Sequence, residues 1–156
     1  MLEIDIPGYR VLRLAHLVLD YNGTLAHDGA LIDGVKERLH TLSGTLQIHI
    51  VTGDTFGKAR DELIGIPCEL VVLPAEGQDR LKRQYIQQLG CETTACIGNG
   101  RNDRLMLEDA GLSIAVVQAE GAAVHTLLAA TVLAPDILAA LDLLIYPLRL
   151  VATLRS

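Results

Sequence analysis

The chain has 156 residues, enough to bury a substantial core as one unit, and its formal net charge of −6 with no basic stripe speaks against a nucleic-acid scaffold. One Phe, four Tyr and no Trp mean that the core must be built from Leu, Ile, Val and Ala. The N-terminus has no positively charged region followed by an apolar stretch, so no secretory signal is visible and a cytoplasmic protein is expected. Cys68, Cys91 and Cys96 are odd in number and lack CxxC spacing, which predicts reduced structural thiols and argues against zinc.

In chain order, Met1 to Ile6 and Tyr9 to Leu14 read as two strands around a Pro7-Gly8 turn, a hairpin expected on the edge of the sheet. The apolar run Leu14 to Leu19 predicts a buried strand, and His27-Asp28-Gly29-Ala30 a tight turn just beyond it. Asp33 can cap a helix running to about Leu42, with Val35, Leu39 and Leu42 as its apolar face. A strand from Leu46 to Val51 follows, then a helix from about Phe56 to Ile64 and a strand from Cys68 to Leu73. In the next helix, Asp79 to Leu89, Lys82 shares its stripe with Tyr85, Ile86 and Leu89, whereas Arg80 lines up with Gln84 and Gln87 on a polar face. A short strand then runs into Gly98-Asn99-Gly100, a helix starts near Asn102, and Leu112 to Val117 is a further strand. Beyond Gly121 the chain is strongly apolar and reads as two helices around a short Thr131-Val132-Leu133 strand; Pro135, Asp136, Asp142, Pro147 and Arg149 interrupt what a membrane span would need. Strand and helix alternate, which predicts a single Rossmann-like α/β domain over residues 1–156, a mainly parallel sheet between two helical layers.

Asp20 ends the apolar run Leu14 to Leu19, where a buried parallel strand would open into a loop. Open α/β sheets do their chemistry outside the carboxyl ends of their strands. A carboxylate there can attack phosphorus; Gly23 lets backbone N–H groups approach phosphate oxygens, and the Thr24 hydroxyl adds a further hydrogen bond. An Asp-initiated turn is the bland alternative. Asp103 lies in the first turn of its helix, with Met106, Leu107 and Ala110 placing it on the buried face.

Asp20-Tyr21-Asn22-Gly23-Thr24, Val51-Thr52-Gly53-Asp54, Lys82 and Gly98-Asn99-Gly100-Arg101-Asn102-Asp103 resemble the four ordered motifs of the haloacid-dehalogenase-like phosphohydrolases. Within that superfamily they are most similar to the phosphorylation domain of P-type ATPases and its small soluble relatives. The likeness runs from about Leu14 to Val117. It implies that Asp20 is the phosphorylated nucleophile, that Asn22, Gly23, Thr24, Thr52, Gly53 and Lys82 bind the phosphoryl group, and that Asp20, Asn22 (through its backbone carbonyl), Asn99 and Asp103 hold Mg²⁺, with Arg83 as a fallback for Lys82. Only 32 residues separate Asp20 from Thr52 and 30 separate Thr52 from Lys82. Neither interval leaves room for a cap or nucleotide-binding domain, so a capless domain that is not an ion pump by itself is expected.

Two departures stand out. The acid that such phosphatases carry two residues after the nucleophile is Asn22 here, and the usual metal-binding aspartate is Asn99. An amide can neither protonate a leaving group nor contribute charge to a cation site. The expectation is therefore a slow Mg²⁺-dependent phosphohydrolase of a small phosphorylated molecule. A relative that binds phosphate, Mg²⁺ or a protein without turnover is the alternative, and a regulatory subunit of a transporter rests on the P-type likeness alone. The apolar C-terminal segment predicts a homo-oligomer whose subunits shield the open crevice. His27 and Asp28 are near enough in sequence to overhang the site; His49 is expected to be structural, and Asp54 to cap the following helix.

Overall fold

The computed structural model describes residues 1–54 and 57–156. Two elements precede the central sheet: β1 (Leu2–Ile6) and β2 (Arg10–Leu14) form an antiparallel hairpin with Leu2 opposite Leu14. They make a two-stranded sheet of their own and do not extend the edge of the main one. Gly8 turns the hairpin at φ +76°, and the space its side chain would occupy is filled by Ser156, whose amide donates to the Pro7 carbonyl at 3.3 Å.

The central sheet has six strands: β3 (His16–Leu19), β6 (Gln47–Thr52), β7 (Glu69–Val72), β8 (Thr94–Gly98), β9 (Leu112–Val116) and β10 (Val132–Ala134). Their order is β10-β9-β8-β3-β6-β7, and every neighbouring pair is parallel. Between β3 and β6 lies a small hairpin, β4 (Ala26–His27) with β5 (Ala30–Leu31). Each strand residue alternates between the two faces. Leu17, Leu19, Ile48, Ile50 and Ile97 enter one core with the buried faces of α1 (Val35–Ser43) and α6 (Ile137–Ile145). Val18, Val51, Cys96 and Ala115 enter a second core with Ile86 of α3 (Gln78–Leu89) and Met106 and Leu107 of α4 (Arg104–Asp109). The result is the three-layer α/β/α arrangement, with no additional layer over the carboxyl ends of the strands.

Several local expectations are corrected. The α1 helix is entered through Gly34 in the left-handed conformation (φ +90°), with no side-chain cap from Asp33. The helix expected from Phe56 begins, within the described residues, as α2 (Ala59–Glu62); Phe56 lies outside them. Asp54 does bind that helix start, accepting from the Ala59 amide at 3.1 Å. The C-terminal segment holds three helices: α5 (Val124–Ala129) precedes β10, and α6 and α7 (Pro147–Leu154) follow it. The α6 helix packs on α1 and α7 on β1 and α6, so most of the apolarity read from this segment is buried within the chain. No single helix among the described residues is long and apolar enough to cross a membrane; α6 and α7 reach that composition together but are bent by 98°.

At the amino end of the sheet, opposite Asp20, His16 Nδ1 and His49 Nε2 are 3.1 Å apart, and His49 Nδ1 meets the Tyr85 hydroxyl at 2.8 Å. One ring must accept where the other donates, so both cannot be charged. Burial holds both imidazoles below the ordinary value; His16 lowers His49 further, while Glu69, 3.5 Å from His49, pulls it back. Because the folded chain binds these protons less readily than the unfolded one, their contribution to stability is complete above about pH 6.5 and declines as pH falls through the folded values. Imidazole resonances followed by NMR should titrate below 6.5 in the folded protein. In His16→Gln/His49→Gln the acid-side loss of urea midpoint should flatten relative to the unsubstituted chain, and an unchanged slope would contradict this account.

Candidate active site

Asp20 is the first residue beyond β3, and its amide still donates to the Ile97 carbonyl of the neighbouring strand at 3.0 Å. The ladder thus fixes its backbone at the carboxyl end of the sheet. The loop that follows curls tightly: the Tyr21 carbonyl accepts from the amides of Thr24, Leu25 and Ala26, and Gly23 adopts φ +78°. A side chain at Gly23 would come within 2.5 Å of the Asn99 amide nitrogen, so both conformation and space demand glycine there. Tyr21 is fully buried and its hydroxyl donates to the Gly29 carbonyl at 2.9 Å, anchoring the β4–β5 hairpin beside the site.

Lys82 is the centre of the arrangement. It sits on the buried face of α3 with no exposed surface, and Nζ donates to Asp20 Oδ1 at 2.6 Å and Asp103 Oδ1 at 2.7 Å. The other oxygen of Asp103 accepts the amides of Asn99 (3.0 Å) and Gly100 (2.8 Å), closing the loop after β8 onto the helix that follows. Gly98 must be glycine, because a Cβ would meet the Asp103 carboxyl at 2.6 Å. Burial is the largest influence raising Asp20, to about 6; Asp103 adds to it, and Lys82 and Thr24 oppose it. Burial alone would depress Lys82, yet its two carboxylate partners hold it above the ordinary lysine value, so it stays cationic. With both carboxylates ionised the trio carries one net negative charge in a dry setting. A group of that charge attracts cations.

The remaining residues singled out in the sequence fall around this trio. Thr52, nearly buried at the end of β6, accepts the Asp54 amide at its hydroxyl (2.9 Å) and keeps its own proton free to donate. Gly53 allows Gln78 to close in: a side chain there would collide with the Gln78 amide. The Thr24 hydroxyl has no exposed surface and lies between Asp20 Oδ2 (3.1 Å) and Asn99 Oδ1 (3.2 Å). This supports Asp20 and does not present the hydroxyl to the open crevice. Asp103 likewise has both oxygens engaged, by Lys82 and by the loop amides, and no exposed surface. Arg83 pairs with Asp109 (2.7 and 2.9 Å) and is no substitute for Lys82. The Asn99 amide nitrogen donates to the Gly121 carbonyl at 2.9 Å; an aspartate would set a carboxylate against that oxygen.

Among the described residues, two buried side-chain atoms lack any partner, Asn22 Oδ1 and His27 Nε2, and both belong to the Asp20 loop and its hairpin. An orphaned oxygen beside a net negative trio suits a hard cation, which takes oxygen ligands. Gln118 escaped notice in the sequence: its amide nitrogen donates to the Gly23 and Thr24 carbonyls (2.9 and 2.6 Å) while its oxygen accepts from Ile137 at the start of α6. The signal available was positional, a polar residue just past an apolar strand, as for Asp20 and Thr52.

No protein-family model matches the chain. Over 60 residues it is 49% identical to an uncharacterized protein of Methanocaldococcus jannaschii, matching 38% of this chain and 64% of that protein; the chain thus spans less than two thirds of that relative's length. It is also 49% identical over 39 residues, 25% of this chain, to a second uncharacterized protein of that organism, of which it covers 89%, and it belongs to one family with that protein. Among solved structures, the cobalt-bound deoxy-D-mannose-octulosonate 8-phosphate phosphatase of Haemophilus influenzae superposes with a TM-score of 0.71 at 15% identity, over 92% of this chain and 94% of that one. A 3-deoxy-D-manno-octulosonate 8-phosphate phosphatase of Moraxella catarrhalis, in complex with magnesium, phosphate and KDO, gives 0.67 at 16% identity over 91% and 94%. The chain therefore has the haloacid-dehalogenase-like fold.

Replacing Lys82 by Met, which keeps the stem and removes the charge, leaves Asp20 and Asp103 facing each other in a dry site. Breaking a buried ion pair by removing one partner costs about 3–5 kcal/mol. Urea denaturation should register a loss of that order at pH 7.5, smaller at pH 5 where Asp20 can take up a proton; no loss at either pH would mean that the trio does not hold the site together.

Proposed function

We propose that the chain is a divalent-cation-dependent phosphohydrolase that works through phospho-Asp20. The observation that carries this reading is the bridge of Lys82 Nζ to Asp20 Oδ1 at the open end of β3, a buried cation fixed against a carboxylate that the fold brings to a glycine-rich loop. Asp20 attacks phosphorus, the bond from phosphorus to the ester oxygen breaks, and water then hydrolyses the aspartyl phosphate to inorganic phosphate. Phosphoryl transfer asks chiefly for positioning and charge neutralisation; Lys82 supplies the charge, and the Thr52 hydroxyl and the Gly53 amide would donate to phosphoryl oxygens.

Asp20, the Asn22 carbonyl and Asn99 would hold Mg²⁺, with Asp103 behind them through Lys82 and the loop amides. The cation supplies electrostatic stabilisation of the transferring group. The net negative charge of the trio supports that assignment, and the unpaired side-chain oxygen Oδ1 of Asn22 is a further oxygen donor on the same residue. Asn22 has no proton to give, so the leaving group departs unassisted and only esters with good leaving groups react at appreciable rates. A binding protein without turnover is the second reading. It is favoured by the engagement of Asn99 at both ends, its amide nitrogen by Gly121 and its oxygen by the Thr24 hydroxyl, which competes with ligation of a cation.

Release of phosphate from p-nitrophenyl phosphate should require Mg²⁺, stop with EDTA, and be abolished in Asp20→Asn. Retention of the original rate in that variant would remove Asp20 as nucleophile. In Asn22→Asp a proton donor is restored, and general acid–base assistance is typically worth about 10²–10⁴-fold. A clear rise in kcat is expected, larger for alkyl than for aryl phosphates. An unchanged rate in a folded, Mg²⁺-responsive variant would show that Asn22 does not limit hydrolysis.

A further inference from the structure

The loop that carries Asn99 and Asp103 also projects outward. Between Asp103 and the start of α5 lies a cavity of about 570 Å³, lined by Gln78 and Asp79 of α3, Arg101, Asn102 and Arg104 of the loop and α4, and His125 of α5. Its walls are hydrogen-bonded to the candidate site. Asn102 donates to Gln78 at 2.8 Å, and the same Gln78 amide lies over Gly53, next to Thr52. On the other side, Thr126 donates to the Gly100 carbonyl at 2.8 Å and the Ala123 amide to the Asn99 carbonyl at 2.9 Å. The Gln78–Asn102 pair is thus a wall common to the cavity and the crevice above Lys82.

The charge of this cavity differs from that of the molecule. The chain carries a net charge of −6, yet here two guanidinium groups and an imidazole face a single carboxylate, Asp79. Arg101 makes no ion pair or side-chain hydrogen bond among the described residues, and Arg104 has only an exposed pairing with Glu108 at 3.4 Å. Such an exposed pair contributes little to stability, so both guanidinium groups remain available. A planar guanidinium matches a phosphate or carboxylate through paired N–H donors. The volume suits a small metabolite.

We propose that this cavity binds a second anionic group, phosphate or carboxylate, on the leaving group of the substrate, so that the chain acts on small phosphate esters carrying two anionic ends. The assignment rests on the phosphohydrolase reading for the reaction, but the cavity itself is testable without turnover. One end is transferred to Asp20; the other is held by Arg101 and Arg104 beyond the Gln78–Asn102 wall. Positioning the leaving group from a distance also offsets, in part, the absent acid at Asn22, since binding energy remote from the reacting centre can be used to orient it.

Two measurements test this. First, kcat/KM is compared for p-nitrophenyl phosphate, fructose 1,6-bisphosphate and 3-phosphoglycerate in the unsubstituted chain and in Arg101→Gln/Arg104→Gln. The preference for at least one of the two esters with a second anionic group over p-nitrophenyl phosphate should fall at least tenfold in the double variant, through KM, and should also fall as ionic strength rises. The bisphosphate and the carboxylate-bearing ester distinguish which anion the cavity takes. An unchanged preference overturns the proposal. Second, Asp20→Asn is titrated calorimetrically with both esters, with and without the two arginine substitutions. If the unsubstituted chain hydrolyses none of the three compounds, the phosphohydrolase reading fails while the titration still decides the cavity: binding weakened tenfold or more by the substitutions supports it, and binding that is absent or indifferent to them overturns it.

Discussion

One ammonium group shared by two carboxylates sets the geometry of this molecule's working end. Lys82 reaches Asp20 on β3 and Asp103 on the segment after β8 from a third element, α3, so three parts of the chain far apart in sequence converge on one atom. Burying charge is costly unless it is paired and hydrogen-bonded throughout, and here the pairing is completed by backbone amides and by Thr24. The helix cannot rotate or slide without exposing an unpaired charge. The rotational phase of α3, and through it the positions of Gln78 and Tyr85, follows from this requirement.

Around that charged centre the chain uses amides where carboxylates would also fit. Asn99 donates to Gly121, Gln118 to Gly23 and Thr24, and Asn102 to Gln78. A carboxylate can only accept, and each of these contacts needs a donor aimed at an oxygen. Of the two departures from the motifs, Asn99 therefore has a local physical role: it ties the loop after β8 to Gly121. Asn99 also lowers the negative charge that would hold a cation, while Asn22, which makes no such tie, lacks the proton that would help a leaving group. Rigidity of the loops and strength of the chemistry pull in opposite directions at Asn99.

The strands, their parallel order and the helical layers were legible because buried parallel strands are short continuous apolar runs and the helices between them keep a 3.6-residue stripe. Lys82 could be separated from Arg80 by that stripe, whereas Arg83 stayed open as a fallback that only its pairing with Asp109 removes. Other features were hidden for identifiable reasons. The His16–His49 contact joins residues on neighbouring strands, and no local pattern encodes a pairing register. The first hairpin looked like a sheet edge, since a strand reads the same whichever sheet it joins; Ser156 and α7, at the far end of the chain, hold it elsewhere. Asp33 is a plausible cap by residue type, but Gly34 adopts a left-handed conformation that ends its claim. Asp103 was placed on a buried face, as found, but its contact with Lys82 joins two helices distant in sequence and no local pattern encodes it.

Among the described residues no layer covers the carboxyl ends of the strands, so a ligand of the proposed site would meet the rim of the crevice. Two rims are available. On one side the β4–β5 hairpin, pinned by Tyr21 to Gly29, brings His27 with an unpaired buried nitrogen. On the other, Gln78 and Asn102 separate the crevice from a cavity bearing two uncommitted arginines. The hairpin lies within a few residues of Asp20 and is pinned to the same loop, so its position is tied to that of Asp20. The opposite rim is built from α3, α4 and α5, and its lining can vary without disturbing the Lys82 trio, because the atoms that fix the trio point inward from the same elements. On the proposed reading, selectivity rests on the outer faces of the helices that hold the charged centre, across the rim that Gln78 and Asn102 form.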